Sequence, residues 1–131
     1  MKLVVVAVAA LALQGAGFKA TLMGGGHTPA INTRWTYSVK VTDAKGKPLA
    51  ARLTVVVVDP IGVVHPVEFF SSATKHVTNF PIKGKFRDAI IWPVESKGYA
   101  LTFKTTVRVG TAKAIDRLHG IAHTKHRATI A

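Results

Sequence analysis

Between positions 35 and 58 hydrophobic and polar residues alternate with little interruption. Trp35, Tyr37, Val39 and Val41 are interleaved with Thr36, Ser38, Lys40 and Thr42, a period of two that predicts a half-buried strand. The run Asp43-Ala44-Lys45-Gly46-Lys47-Pro48 is a cluster of turn formers, in which Gly46 can take the positive φ of a tight reversal and Pro48 fixes the exit. Leu53, Val55 and Val57 then alternate with Arg52, Thr54 and Val56. The expectation is a hairpin of two adjacent strands. Val55 to Val58 is apolar on both faces, which predicts a central strand covered on each side.

The remaining pattern predicts further short strands. Val63, Val64, Val67, Phe69 and Phe70 form a β stretch broken by Pro66; the adjacent phenylalanines cannot share one core, so one belongs at a sheet end or under a loop. Residues 28–32 read as a short edge strand that tolerates Pro29, and 76–78 as another short strand. Residues 86–92 read as a strand with Phe86, Ala89 or Ile90, and Trp92 turned to the core. Tyr99, Leu101, Phe103, Thr105, Val107 and Val109 alternate with Thr102, Lys104, Thr106 and Arg108 up to Gly110. Beyond it, Ala112, Ile115, Leu118 and Ile121 recur every three residues between a Thr111 cap and a Gly120 stop, a short amphipathic helix; a final strand over 114–121 is the competing reading. Residues 123–131 read as a polar, basic tail. Short strands separated by Gly and Pro turns predict an all-β sandwich, with Trp35 and Trp92 as core anchors.

The N-terminus predicts export. Lys2, an apolar run over 3–13, and Gly15 and Gly17 before a cut at Phe18 follow the n-, h- and c-region order of a signal-peptide helix. The run is shorter than the roughly 20 residues of a membrane span, and an uncleaved N-terminal segment would be the one route of membrane attachment. The expected division is signal peptide over 1–17, flexible linker over 18–33 with Gly24-Gly25-Gly26 at its middle, sandwich over 34–110 and C-terminal segment over 111–131. The expected location is secreted or at the cell envelope.

Composition narrows the partner. The 131 residues suffice for one domain and contain no cysteine, so disulfides, thiolate metal sites and lipid attachment at a cysteine are excluded. Eighteen Lys and Arg against six Asp and Glu give a net charge of +12, which favours an anionic partner.

The run Val41-Thr42-Asp43, Gly46, Pro48-Leu49, together with the strand from Trp35, resembles the first hairpin of secreted bacterial immunoglobulin-like domains. The segments Gly26-His27-Thr28-Pro29, His65-Pro66-Val67-Glu68-Phe69 and Phe86-Arg87-Asp88-Ala89-Ile90-Ile91-Trp92-Pro93 are similar to a group of small exported bacterial proteins of unknown function. The resemblance covers the middle of the chain. It implies an immunoglobulin-like β-sandwich that acts as a structural or adhesive module, and it carries no catalytic residues.

Candidate chemistry is sparse. On a helix, His119, His123 and His126 would line one side and suit copper, nickel or zinc; the competing reading is a basic tail with incidental histidines. Lys75, Lys83, Lys85 and Arg87 fall close together as a basic patch, although exposed strands also carry Lys to discourage edge pairing. Asp43, Asp59 and Glu95 belong to turns, and no facing carboxylate pair, nucleophile elbow or phosphate cradle is indicated. The basic residues are not interleaved with exposed aromatics, which disfavours nucleic acid. The expectation is a non-enzymatic exported module without a cofactor, binding an anionic envelope polymer or another protein. The alternative is an extracytoplasmic metal-binding protein that uses the three C-terminal histidines.

Overall fold

The computed structural model describes residues 18–110 and 118–130, with the side chains of 118–124 outside that description. The signal-peptide reading of 1–17 and the part of the helix reading over 111–117 therefore fall outside the described residues. The described chain is all β. Its strands are β1 (Phe18–Gly24), β2 (Arg34–Asp43), β3 (Ala50–Val58), β4 (Val64–Pro66), β5 (Phe80–Lys83), β6 (Lys85–Ile91), β7 (Ala100–Gly110) and β8 (Leu118–Thr129), with one 3₁₀ turn at Val94–Ser96. Among the described residues no helix is long and apolar enough to cross a membrane.

Two antiparallel layers pack face to face. One is β1-β2-β6 and the other β5-β3-β7-β8, with β4 continuing the β5 side of β3. The layers are joined at a corner by one residue pair, Lys83↔Lys85, on either side of Gly84. The alternation in the sequence is met in each long strand. Ala20, Leu22, Trp35, Tyr37, Val39 and Val41 bury one face of the first layer; Leu53, Val55, Leu101, Phe103, Val107 and Val109 bury the facing side of the second.

The neighbours of the strands differ from expectation. β2 and β3 are consecutive and joined by the predicted turn, with Gly46 at φ 86° and Asp43 Oδ1 accepting from the Lys45 and Lys47 amides. They meet only at its base, through Thr42↔Pro48 and the Leu49 amide on the Val41 carbonyl. Beyond that they part into different layers, and β6 pairs with β2 while β5 and β7 pair with β3. Alternation specifies which face is buried but not which strand lies alongside. The predicted central strand does have strands along both edges, but its outer face is not covered as expected: Val56 and Val58 are only half-buried.

Three further readings are corrected. Residues 18–24 are not linker: Phe18 to Gly24 pairs with β2 in register Phe18↔Asp43 to Gly24↔Tyr37 and buries Ala20 and Leu22. Residues 28–32 form a turn rather than a strand, with Asn32 at φ 57°. The C-terminal stretch from Leu118 is strand, not helix or tail, and pairs with β7 from Gly110↔Leu118 to Ala100↔Thr129. Its end is fixed by burial of His126, Ala128 and Ile130 between exposed Lys125, Arg127 and Thr129.

The core is strongly aromatic. Trp35 lies edge-on to Trp92 (centroids 5.5 Å) and Phe103 (5.0 Å), and Phe69, Phe80 and Phe86 form a second cluster. Phe69 is half-buried there, whereas Phe70 is exposed beneath the Arg34 guanidinium, 4.6 Å above its ring, so the adjacent phenylalanines divide as expected.

Candidate binding surfaces

The outer face of the β1-β2-β6 layer is a basic row built by register. Lys40 on β2 stands opposite Lys85 on β6, and Lys85 is paired in turn with Lys83 across the corner. Arg87 lies two residues along β6, opposite Ser38. All four basic side chains are exposed. Cross-strand partners sit about 5 Å apart, and like charges so placed are destabilising. Among the described residues the one ion pair is His65–Asp59 (3.0 Å), so no carboxylate neutralises this row. Met23, Gly24, Thr36, Ser38, Lys85 and Arg87 also bound a small notch of about 200 Å³. Of the predicted patch, Lys83, Lys85 and Arg87 come together. Lys75 sits in the loop over 71–79, where its carbonyl accepts from the Phe69 amide, and no strand register places it beside the other three. Lys40 was missed, because the alternation that placed it outward did not reveal β6 as its neighbour.

A histidine clasp closes the far edge of the sandwich. β1 and β8, the outermost strands, lie beside each other. His126 Nε2 donates to the Gly26 carbonyl (2.9 Å) and His27 Nδ1 to the Arg127 carbonyl (2.7 Å). The two rings stack with centroids 4.1 Å apart and planes 9° from parallel. A carbonyl can only accept, so neutral His126 carries its proton on Nε2 and leaves Nδ1 bare; Nδ1 is buried without a partner among the described residues. The Trp35 indole N–H donates to the same Gly26 carbonyl (3.1 Å). Two of the glycines that suggested a linker are needed for close approach: a Cβ at Gly24 would come within 2.8 Å of the Trp35 ring and 3.0 Å of His126, and one at Gly25 within 3.1 Å of the Trp35 ring.

The clasp is pH-sensitive. Burial, with His27 adding repulsion, holds the His126 imidazole below its usual value of 6.5, partly offset by the bond to Gly26. A group depressed in the folded state binds protons more readily when unfolded, so stability is complete above the unfolded value and falls as pH drops below it. Thermal unfolding midpoints are expected to decline through that window. His126→Phe should flatten the decline, and an unchanged slope in that variant would exclude His126 as its source.

The metal reading loses its geometric basis. It required a helix, and residues 118–129 form a strand. His126 is buried and engaged with Gly26, while the side chains of His119 and His123 lie outside the described residues. No group of three metal-ligating side chains occurs among the described residues.

The sequence matches no protein-family model and no curated protein.

A second surface was not foreseen. A cleft of about 940 Å³ opens between the end of β6, at Ala89 to Trp92, and the segment from His65 to Phe70, with Val57 and Leu101 within it. Three of the six carboxylates, Asp59, Glu68 and Glu95, line it, and no Lys or Arg does. Asp59 is committed to its turn: Oδ1 accepts from the Ile61 and Val63 amides and Oδ2 bonds His65, the largest of the influences that hold its carboxyl below the usual range. No pattern along the chain announces the cleft, because it lies where two segments fail to pair.

Proposed function

We propose that the protein is an exported, non-enzymatic module of the cell envelope or extracellular space that holds an anionic polymer against the outer face of β1-β2-β6. The observation that carries this reading is the unneutralised row Lys85, Lys40 and Arg87 on β2 and β6, extended by Lys83 across the corner. Like charges stacked across strands lower stability unless something anionic occupies the face, and a phosphate-bearing chain running along the row would relieve them all. The n-, h- and c-regions of 1–17 support export, and export favours wall or envelope polymers over nucleic acid.

An immunoglobulin-like identity is the finer form of the proposal. The neighbour sets β1-β2-β6 and β3-β7-β8 follow the order in which the first, second and fifth strands of such a sandwich face the third, sixth and seventh. β5 lies on the β3 side of the corner, and the chain has no cysteine for an inter-sheet disulfide. Trp35 supplies a buried indole, but from β2, the second strand, where such a sandwich carries it on the third. Three of the acids are committed to local structure: Asp43 and Asp59 organise turns, and Asp88 accepts from the Phe70 amide (3.1 Å).

The test is calorimetric titration of the full chain with long-chain polyphosphate. Binding is expected, and the triple variant Lys40→Gln, Lys85→Gln, Arg87→Gln should weaken it by about 3 kcal/mol, at roughly 1 kcal/mol for each charge removed. Affinities equal to within about twofold, far below that difference, would refute the assignment of this face.

A further inference from the structure

The side of β6 that faces away from β2 has almost no partner. It pairs with β5 at Lys83↔Lys85 alone, and from Phe86 to Ile91 it meets no other described strand. The hydrogen bond that reaches it from the neighbouring loop goes to a side chain, from the Phe70 amide to the Asp88 carboxylate. An open strand edge is a template for main-chain pairing unless it is covered or charged. Here the end of that edge borders the 940 Å³ cleft.

Three further observations describe what the cleft would accept. Its mouth leaves large apolar side chains in solvent, with Ile61, Phe70, Ile91 and Tyr99 at 85, 45, 49 and 55% exposure. Contiguous apolar exposure of this kind marks interaction sites. Trp92 is 2% exposed in the cleft wall, and among the described residues its indole N–H has no acceptor, which costs free energy for a buried donor. The local charge also opposes that of the whole chain: with a net +12, the cleft is lined by Asp59, Glu68 and Glu95 and by no Lys or Arg, and the one guanidinium at its mouth, Arg34, lies against the Phe70 ring.

We propose that this cleft receives an extended segment of another protein, with alternating apolar and basic residues, added as a strand to the free edge of β6. Main-chain pairing supplies register, and every second side chain of a strand points the same way. The apolar set enters between Ile91 and Tyr99, beside the Phe70 ring that Arg34 covers on one face, while the basic set meets Glu68 and Glu95. This surface is separate from the basic row on β1-β2-β6, and the two select partners of opposite charge.

The test uses the full chain and a capped eight-residue peptide of alternating Lys and Val, followed by tryptophan fluorescence and calorimetry. Saturable binding is expected, with a change in Trp92 emission. An alternating Glu and Val peptide, and a Lys and Val peptide N-methylated at every second amide, should each bind at least about tenfold more weakly, because the first opposes the charge and the second cannot pair with a strand. Glu68→Lys with Glu95→Lys should weaken the Lys and Val peptide by a similar factor; both positions are exposed, so the fold is retained. Absence of binding, or equal binding of the three peptides, would overturn the proposal. So would a wild-type dimer in sedimentation that Ile91→Glu converts to monomer, since a second copy would then occupy the cleft.

Discussion

Replacing Gly84 by alanine is expected to lower stability by about 3 kcal/mol, combining left-handed backbone strain with overpacking. Gly84 has φ 77°, and a Cβ there would lie 2.6 Å from Cβ of Pro48. Its carbonyl accepts from the Val41 amide and its amide donates to the Leu49 carbonyl, both at 2.8 Å. Gly84 is thus the corner at which β2, β3, β5 and β6 are tied together before the layers diverge. The clash is with a proline ring, which cannot rotate aside as a flexible side chain would. Gly84→Val should cost more than Gly84→Ala. Urea unfolding reads both changes as shifts in midpoint at constant slope. A loss below about 1 kcal/mol for the alanine variant would be less than the strain alone and would contradict the corner geometry.

Trp35→Ala is the second large effect, expected at about 4 kcal/mol in the same experiment. Trp35 is 5% exposed and touches Tyr37, Trp92, Phe103 and His126. It therefore bridges both layers and the histidine clasp, and its removal opens a cavity that the paired strands around it cannot collapse to fill. Trp35→Phe keeps the larger part of the apolar contact but removes the indole N–H together with part of the ring volume. The Gly26 carbonyl retains its bond from His126, so this variant should lose about 2 kcal/mol, half the alanine effect. Equal losses for the two variants would mean that the hydrogen bond, rather than the packing, sets the value of the site. Domain stabilities are commonly about 5–15 kcal/mol, so either large substitution removes a substantial share.

The strands were legible wherever burial imposes a period of two. β2, β3 and β7 could be read because one face of each is covered and the other is wet, and Trp35 and Trp92 fell in phase with the covered faces. The pairing of β2 with β6 was not legible, because alternation is the same whichever strand lies alongside. β1 was hidden by the glycine run that closes and follows it, which looks like a linker in sequence although Gly24 serves the approach of Trp35 and His126, and Gly25 that of Trp35. At β8, spacing by threes from Ala112 to Ile121 competed with alternation that becomes clear only at His126, Ala128 and Ile130.

The same limits applied to the surfaces. The density of Lys and Arg near 83–87 pointed to part of the basic row, while Lys40, 45 positions away from Lys85 in the chain, was brought in by sheet register. The pairing of His27 with His126 spans 99 positions of sequence and no spacing rule connects them. The cleft depends on an edge left unpaired, which is a property of topology and not of any local run of residues.

The measurement that tests the central claim most directly is the affinity of the full chain for long-chain polyphosphate over a series of salt concentrations. Each phosphate neutralised by a basic side chain releases a counterion, so the logarithm of the binding constant should fall linearly with the logarithm of salt concentration, at slightly less than one unit of slope per contact. A basic row that binds as proposed predicts a slope that becomes shallower by about 0.7–0.9 with each of Lys40→Gln, Lys85→Gln and Arg87→Gln. A slope that none of the three substitutions changes would contradict it, and would place the anionic partner elsewhere on the molecule.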